Sequence, residues 1–234
     1  AYVQPSHLEK EIMNNKIEAL VSSLPQEWKN KVTLDFAKMK TESPTLIDPK
    51  IEQSKYTIST IIQPDSQTRD QINNAVAPFI LRQKGLFLQP SDGYHFTVQW
   101  SNFLNGNISK LIESVGNMTM PPLDLEIKLL YPSKPNLFAA LVPQNDVLWM
   151  EKVRSMISGY FNSSSFTPIL PEKLPLIWMS LARFTKDFDP QNLDQLVLEL
   201  PEKTITANKF TLFLAKTDPF FTQKTAEIFL SKEF

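Results

Sequence analysis

From Lys55 to the last residue, short runs rich in β-branched and aromatic side chains take turns with segments of helical period, and this alternation narrows the fold more than any other property of the chain. "KYTISTIIQ" reads as a strand. "DSQTRDQINNAVAPFILRQ" reads as a helix capped by Asp65 or Ser66, with Pro78 leaving its second half open. "GLFLQ" and "HFTVQW" read as strands parted by the turn-prone "PSDG", "NISKLIESVGN" as a helix, and "LDLEIKLLYP" and "NLFAALVP" as two further strands. In "DVLWMEKVRSMISGYF", Val147, Leu148, Met150, Val153, Met156, Ile157 and Phe161 form a broad apolar helical face. "LPLIWMSLARF", "QLVLEL", "KFTLFLAKT" and "AEIFLS" read as the closing strands. Several neighbouring strands have short links. The expectation is an α+β protein with mixed or antiparallel sheets, not a doubly wound parallel one.

Before Lys55 the pattern is different. Leu8, Ile12, Met13, Ile17, Leu20, Val21 and Leu24 recur at helical spacing up to Pro25, and a second, weaker helix runs from about Gln26 to Met39. "KTESPTLIDPK" reads as a loop. Residues 1–50 are therefore expected to be an N-terminal helical extension, a hairpin covering the core of a domain spanning 51–234. The other reading of the extension is a helix for a partner or a membrane surface.

Composition removes several classes of function. The chain has 234 residues, 42% of them hydrophobic, enough for a substantial core. A net charge of −1 gives no global basic field of the kind that advertises nucleic-acid binding, although a local patch stays open. There are no cysteines, hence no disulfide framework, thiol nucleophile or cysteine zinc site, and two histidines are too few for a histidine-rich metal site. None of the five glycines lies in a phosphate-cradling G-x-G or G-K-[ST] pattern. No apolar run approaches the about 20 residues of a membrane span, and the first residues lack the signature of a signal peptide. The expected location is the cytoplasm, with no metal, no cofactor and no membrane contact; the three glycosylation sequons are read as chance.

The chemistry-bearing residues begin with His95 and Thr97. Side chains alternate along a strand, so these two share one face, while Phe96 and Val98 take the other and belong to the core. A histidine and a hydroxyl on one face suit a phosphate: the imidazole moves a proton and the hydroxyl donates a hydrogen bond. By itself the pair is a weak signal. A second strand, "LPLIWMSLARF", carries Ser180 two positions after Trp178, followed by Leu181, Ala182 and Arg183, with Ile177 and Met179 on its core side. Trp178 stands 83 residues after His95.

On these residues the chain resembles the 2H phosphoesterase superfamily, which includes the bacterial 2′-5′ RNA ligase-like (LigT-like) proteins and the 2′,3′-cyclic phosphodiesterases. Members carry two His-x-Thr/Ser motifs on two central strands, the second often continuing as Leu-Ala-Arg. The closing "KFTLFLAKTDPFFTQKTAEIFLS" resembles the family's usual ending, and the resemblance covers about residues 52–232. It implies a two-lobed fold around a central groove. It also implies a metal-independent mechanism in which one imidazole takes a proton from the attacking oxygen, the other gives one to the leaving oxygen, and the hydroxyls steady the phosphoryl group.

This sequence departs from that pattern at Trp178, where the family has its second histidine. Carried over residue by residue, His95 and Thr97 complete the first motif, Ser180 is what remains of the second, and Arg183 trails it. An indole donates one N–H and does not titrate near neutrality. Losing one acid–base group costs about 10²–10⁴-fold in rate. Replacements to weigh are His7, Tyr131, Lys134 and Asp92. Trp178 either fills space or offers a flat face for a ring; Arg183 either reaches a phosphate or pairs with a carboxylate. Trp28, Trp100 and Trp149 read as packing residues. Three functions are open: a degenerate domain that binds a nucleotide, an RNA end or another phosphorylated molecule; an active 2′,3′-cyclic or 2′-5′ phosphodiesterase using His95 with an altered partner; and a scaffold whose groove is irrelevant.

Overall fold

The computed structural model describes residues 7–53, 55–102, 104–174, 176–222 and 224–234. The elements are α1 (His7–Val21), α2 (Gln26–Glu42), α3 (Pro49–Glu52), β1 (Thr57–Pro64), α4 (Ser66–Ile80), β2 (Leu86–Leu88), β3 (Phe96–Ser101), α5 (Ile108–Asn117), β4 (Leu125–Pro132), β5 (Asn136–Pro143), α6 (Trp149–Ser163), β6 (Ile177–Phe184), α7 (Leu193–Leu198), β7 (Lys203–Ala207), β8 (Phe210–Thr217) and β9 (Glu227–Glu233). They build two antiparallel sheets of a mixed α+β protein, ordered β3-β1-β8-β9 and β2-β6-β5-β4-β7. The two motif strands therefore belong to different sheets, β3 at the edge of the first and β6 inside the second.

Local chemistry explains most boundaries. Asp65 caps α4 by accepting the Thr68 N–H at 2.8 Å, and the helix runs past Pro78 to Ile80. Asn107 caps α5 in the same way through Lys110 N–H. Two expectations need correction. "QLVLEL" is the helix α7, because Leu193, Leu196, Val197 and Leu200 are buried at i, i+3, i+4 and i+7, a helical rather than an alternating period. Asp189, which accepts Gln191 N–H ahead of it, supplies the start signal. The strand of this region is instead β7, "KTITA", which pairs with β4 from Leu125↔Ala207 to Leu129↔Lys203. The apolar face of α6 is also displaced: Val147, Leu148 and Met156 are exposed, and the buried stripe is Trp149, Met150, Val153, Arg154, Ile157, Ser158 and Phe161.

The N-terminal helices share the core of the rest of the chain, with Met13, Leu20, Trp28, Val32 and Phe36 buried in the same apolar cluster as Leu137, Phe138 and Met179. Trp28 stacks on Phe138 at 5.4 Å, and Tyr131 donates its hydroxyl to the Leu20 carbonyl at 3.0 Å. Lys134 pairs with Glu42, and its carbonyl accepts the Thr45 N–H. Tyr131 and Lys134 thus anchor the helical segment and do not line the groove. Phe138 stands opposite Ser180 in the β5–β6 register, so α2 packs against the same face of the second sheet that carries Ser180.

Candidate functional site

A cavity of about 220 Å³ opens between β3 and β6 and holds His95, Thr97, Trp178, Ser180 and Arg183 together, so all five residues singled out in the sequence line one space. Simple alternation does not explain this arrangement. Two bulges do. In the β1–β3 pairing the register passes from Ile61↔Thr97 to Thr60↔Gln99, leaving Val98 without a partner. In the β5–β6 pairing it passes from Phe138↔Ser180 to Leu137↔Ala182, leaving Leu181 without one. An extra residue flips the parity of every position beyond it in the strand. Trp100 therefore returns to the face of His95 and Thr97, and Arg183 returns to the face of Trp178 and Ser180.

The two strands consequently match position for position at an offset of 83 residues: His95 with Trp178, Thr97 with Ser180, the bulged Val98 with Leu181, and Trp100 with Arg183. Trp100 is a correction to the sequence reading, which made it a packing residue. The bulge turns it into the groove. Trp28 and Trp149 are buried packing residues, the latter stacked on Phe234 at 6.1 Å. Phe96, Val98, Ile177 and Met179 are buried in the core, though Ile177 also touches the groove wall.

His95 sits at the entry to β3 and is fixed by its surroundings. Its Nδ1 lies 2.7 Å from the Gly93 carbonyl, which can only accept, so Nδ1 carries the proton and Nε2 keeps a lone pair. The same carbonyl accepts from Gln89 Nε2 at 2.8 Å. The ring meets Phe221 edge-on at 5.8 Å. Burial pushes its pKa down to about 4, with the Gly93 bond opposing the shift and the Arg183 charge adding to it. At neutral pH it is a neutral acceptor, not an acid. Gly93 itself is required: a Cβ there would stand 2.4 Å from the Phe220 carbonyl, so the loop after β8 docks against bare backbone.

Ser180 accepts a hydrogen bond from Asn136 Nδ2 at 2.5 Å, and Asn136 is held in turn by Ser133. Accepting that bond takes one of the two lone pairs of the Ser180 hydroxyl and leaves its O–H to donate into the groove. Arg183 lies 5.9 Å over the Phe220 ring, burial holds its pKa below the usual arginine range, and its buried Nε has no hydrogen-bond partner. Asp218 lines the groove but is committed to the Phe220 N–H at 2.8 Å and the Thr225 hydroxyl at 3.2 Å. Thr57, Ser59 and Thr217 add hydroxyls on the first sheet.

The groove has His95, Arg183 and Asp218 toward one end and Trp100, Ser59, Leu170 and the buried Arg154 toward the other. His95 feels the charges of Arg183 and Asp218, whereas Trp100 is tied by its carbonyl to Ile169 N–H, beside the wall residue Leu170. Of the substitutes weighed for a second histidine, Tyr131, Lys134 and Asp92 are absent from the groove lining. Asp92 binds Gln63 and Arg69 through its carbonyl, away from the groove, and the side chain of His7 lies outside the described residues. Sequence reading missed Asn136, Trp100, Asp218 and Arg154. Only Arg154 left a sequence signal, a charge between Val153 and Ile157 on the buried stripe of a helix. Among the described residues no cluster of histidine and acidic side chains suits a metal ion, and no helix is long and apolar enough to cross a membrane.

No protein-family model and no curated protein sequence matches the chain. Solved structures do. E. coli LigT complexed with 3′-AMP superposes with a TM-score of 0.51 at 14% identity, covering 77% of this chain and 99% of LigT. The NADP+ complex of the same protein gives 0.50 at 13% identity, over 77% and 97% of the two chains. Its apo form gives 0.50 at 11%, over 76% and 96%. At such identities the likeness is one of architecture: two antiparallel lobes, one motif strand from each, and a groove between them. The chain has the two-lobed, LigT-like fold of the 2H phosphoesterases.

Proposed function

We propose that the groove binds a phosphorylated, ring-bearing molecule, a nucleotide or a nucleotide-like RNA end, and does not turn it over by the two-imidazole route. The observation that carries this reading is the 83-residue match between β3 and β6. Thr97 and Ser180 are equivalent hydroxyls, and Trp178 stands where an acid–base partner of His95 would be. The Ser180 hydroxyl, presented by Asn136, and Arg183, with an unpartnered Nε, supply donors for phosphoryl oxygens. Trp178 supplies a ring face, a contact worth about 1–3 kcal/mol per base in single-strand binders. LigT structures contain 3′-AMP, ATP and NADP+, which makes nucleotides the first probes to try.

A second reading rests on His95. Its tautomer leaves Nε2 as a proton acceptor, so half of an acid–base mechanism survives. Titration calorimetry with 3′-AMP, alongside a turnover panel of 2′,3′-cyclic and 2′-5′-linked nucleotides, separates the two. Binding without turnover, weakened roughly 5- to 150-fold in Trp178→Ala, supports the binding role. Turnover in the wild type that disappears in His95→Ala establishes a one-histidine phosphodiesterase instead. No binding and no turnover leaves a scaffold.

A further inference from the structure

Two buried side chains that this ligand reading leaves unused hold one wall of the groove in place. After α6 the chain runs through residues 166–174 without regular structure, and Leu170 of this segment, with Leu176 just beyond it, lines the groove. A stretch of this kind has backbone groups in need of partners. Gln99, which the bulge at Val98 turns away from the groove, is fully buried and supplies them. Its Oε1 accepts from the N–H groups of Trp100 at 3.1 Å, Ile169 at 3.0 Å and Leu170 at 2.7 Å. Its Nε2 donates to the Leu170 carbonyl at 2.9 Å and to the Ser158 hydroxyl at 2.8 Å.

Arg154, 1% exposed, grips the far end of the same segment. Its Nη1 donates to the Leu174 carbonyl at 2.6 Å, while Nε donates to Val98 at 2.7 Å and Nη2 reaches the Thr97 carbonyl at 3.5 Å. One guanidinium therefore joins the wall to the strand of His95 and Thr97. No carboxylate pairs with it among the described ion pairs, so its three bonds are all to carbonyls of the wall and of β3.

We infer that Gln99 and Arg154 form a buried latch that clamps residues 169–174 onto β3, and that the clamped wall sets the length of ligand the groove accepts. With Leu170 and Leu176 on its lining, the cavity measures about 220 Å³, below the about 300–1,000 Å³ of ordinary ligand pockets. A single nucleotide enters with its ring toward Trp100 and Leu170. A second nucleotide attached on that side meets the wall. Gln99 and Arg154 are positioning residues in this scheme, and the inference rests on the ligand class proposed above.

The test compares affinities for 3′-AMP and for the dinucleotide ApAp by calorimetry in the wild type, Gln99→Leu, Arg154→Lys and Leu170→Ala. The wild type prefers 3′-AMP by tenfold or more; Gln99→Leu and Leu170→Ala each reduce that preference at least fivefold, chiefly by tightening ApAp, and Arg154→Lys falls between. A preference unchanged in Leu170→Ala, which leaves the latch intact and shortens only the wall, overturns the length claim even if Gln99→Leu fails to fold. Hydrogen exchange judges the latch without any ligand. The amide of Leu170, which donates to Gln99 Oε1, exchanges at least tenfold faster in Gln99→Leu, whereas that of Ile169 keeps its second acceptor, the Trp100 carbonyl; a Leu170 amide exchanging as in the wild type overturns the latch. A wild type that binds neither nucleotide removes the ligand class and the length claim with it, while the exchange result still stands for or against the clamp.

Discussion

At the scale of single residues, Trp178 and His95 occupy equivalent places and have opposite chemistry. One is an indole that cannot exchange a proton near neutrality; the other is an imidazole held neutral with its proton on Nδ1. If the site lacks only a second imidazole, Trp178→His should raise turnover of a 2′,3′-cyclic nucleotide by about 10²–10⁴-fold over the wild type. A rate still at background, in a variant that folds and binds 3′-AMP, would mean that more than one group has been lost. His95 also leaves a mark on stability. Folding lowers its pKa from 6.5 to about 4, so between those values the unfolded chain holds the extra proton. The stability that depends on a neutral His95 is complete above about 6.5 and is lost as pH falls toward 4. Urea midpoints from pH 7 to 4 should fall less steeply in His95→Phe than in the wild type. Parallel slopes would contradict the burial of this imidazole.

At the scale of elements, the site depends on turns and bulges that carry loops into register. Gly93 lets the loop after β8 approach the entry of β3, with Phe220 carbonyl at 2.4 Å from where a Cβ would lie. Gly93→Ala forces that loop outward, and with it Phe220, over which Arg183 lies, and Phe221, which meets His95. The expected loss is about 1–3 kcal/mol of stability, the range for overpacked sites, together with weaker binding of 3′-AMP. A variant with wild-type melting and affinity would refute the tight docking. The strands and long helices were legible in the sequence because their periods are set by the backbone, and His95, Thr97, Ser180 and Arg183 because their motif is local. Trp100 was not. Its facing depends on one unpaired residue, Val98, and no residue type in "HFTVQW" marks a bulge that the partner strand decides. "QLVLEL" misled for a related reason: a six-residue apolar run fits both periods, and tertiary burial of Leu193, Leu196 and Val197 chose the helix.

At the scale of the whole molecule, the boundary drawn near residue 50 in the sequence separates compositions but cuts through a common core. Trp28, 3% exposed, lies on Phe138, and Phe138 stands beside Ser180 on the neighbouring strand. The connection after α2 continues onto β6 through Ile47 N–H to the Phe184 carbonyl at 2.8 Å and a bridge to Thr185. The helical segment therefore acts as part of the second lobe's packing. Heat or urea should unfold the protein in one transition, with tryptophan fluorescence and far-ultraviolet circular dichroism coinciding. Trp28→Ala should cost about 3–5 kcal/mol, the range for emptying a large aromatic site. A chain starting at residue 51 uncovers Phe138 and Tyr131, and its exposed apolar face should bind a hydrophobic dye and lose 3′-AMP affinity along with stability. A truncated chain that melts like the full protein and keeps its groove would show instead that residues 51–234 are an autonomous domain. The helices would then be a detachable cover, present for a partner that the second lobe does not need in order to fold.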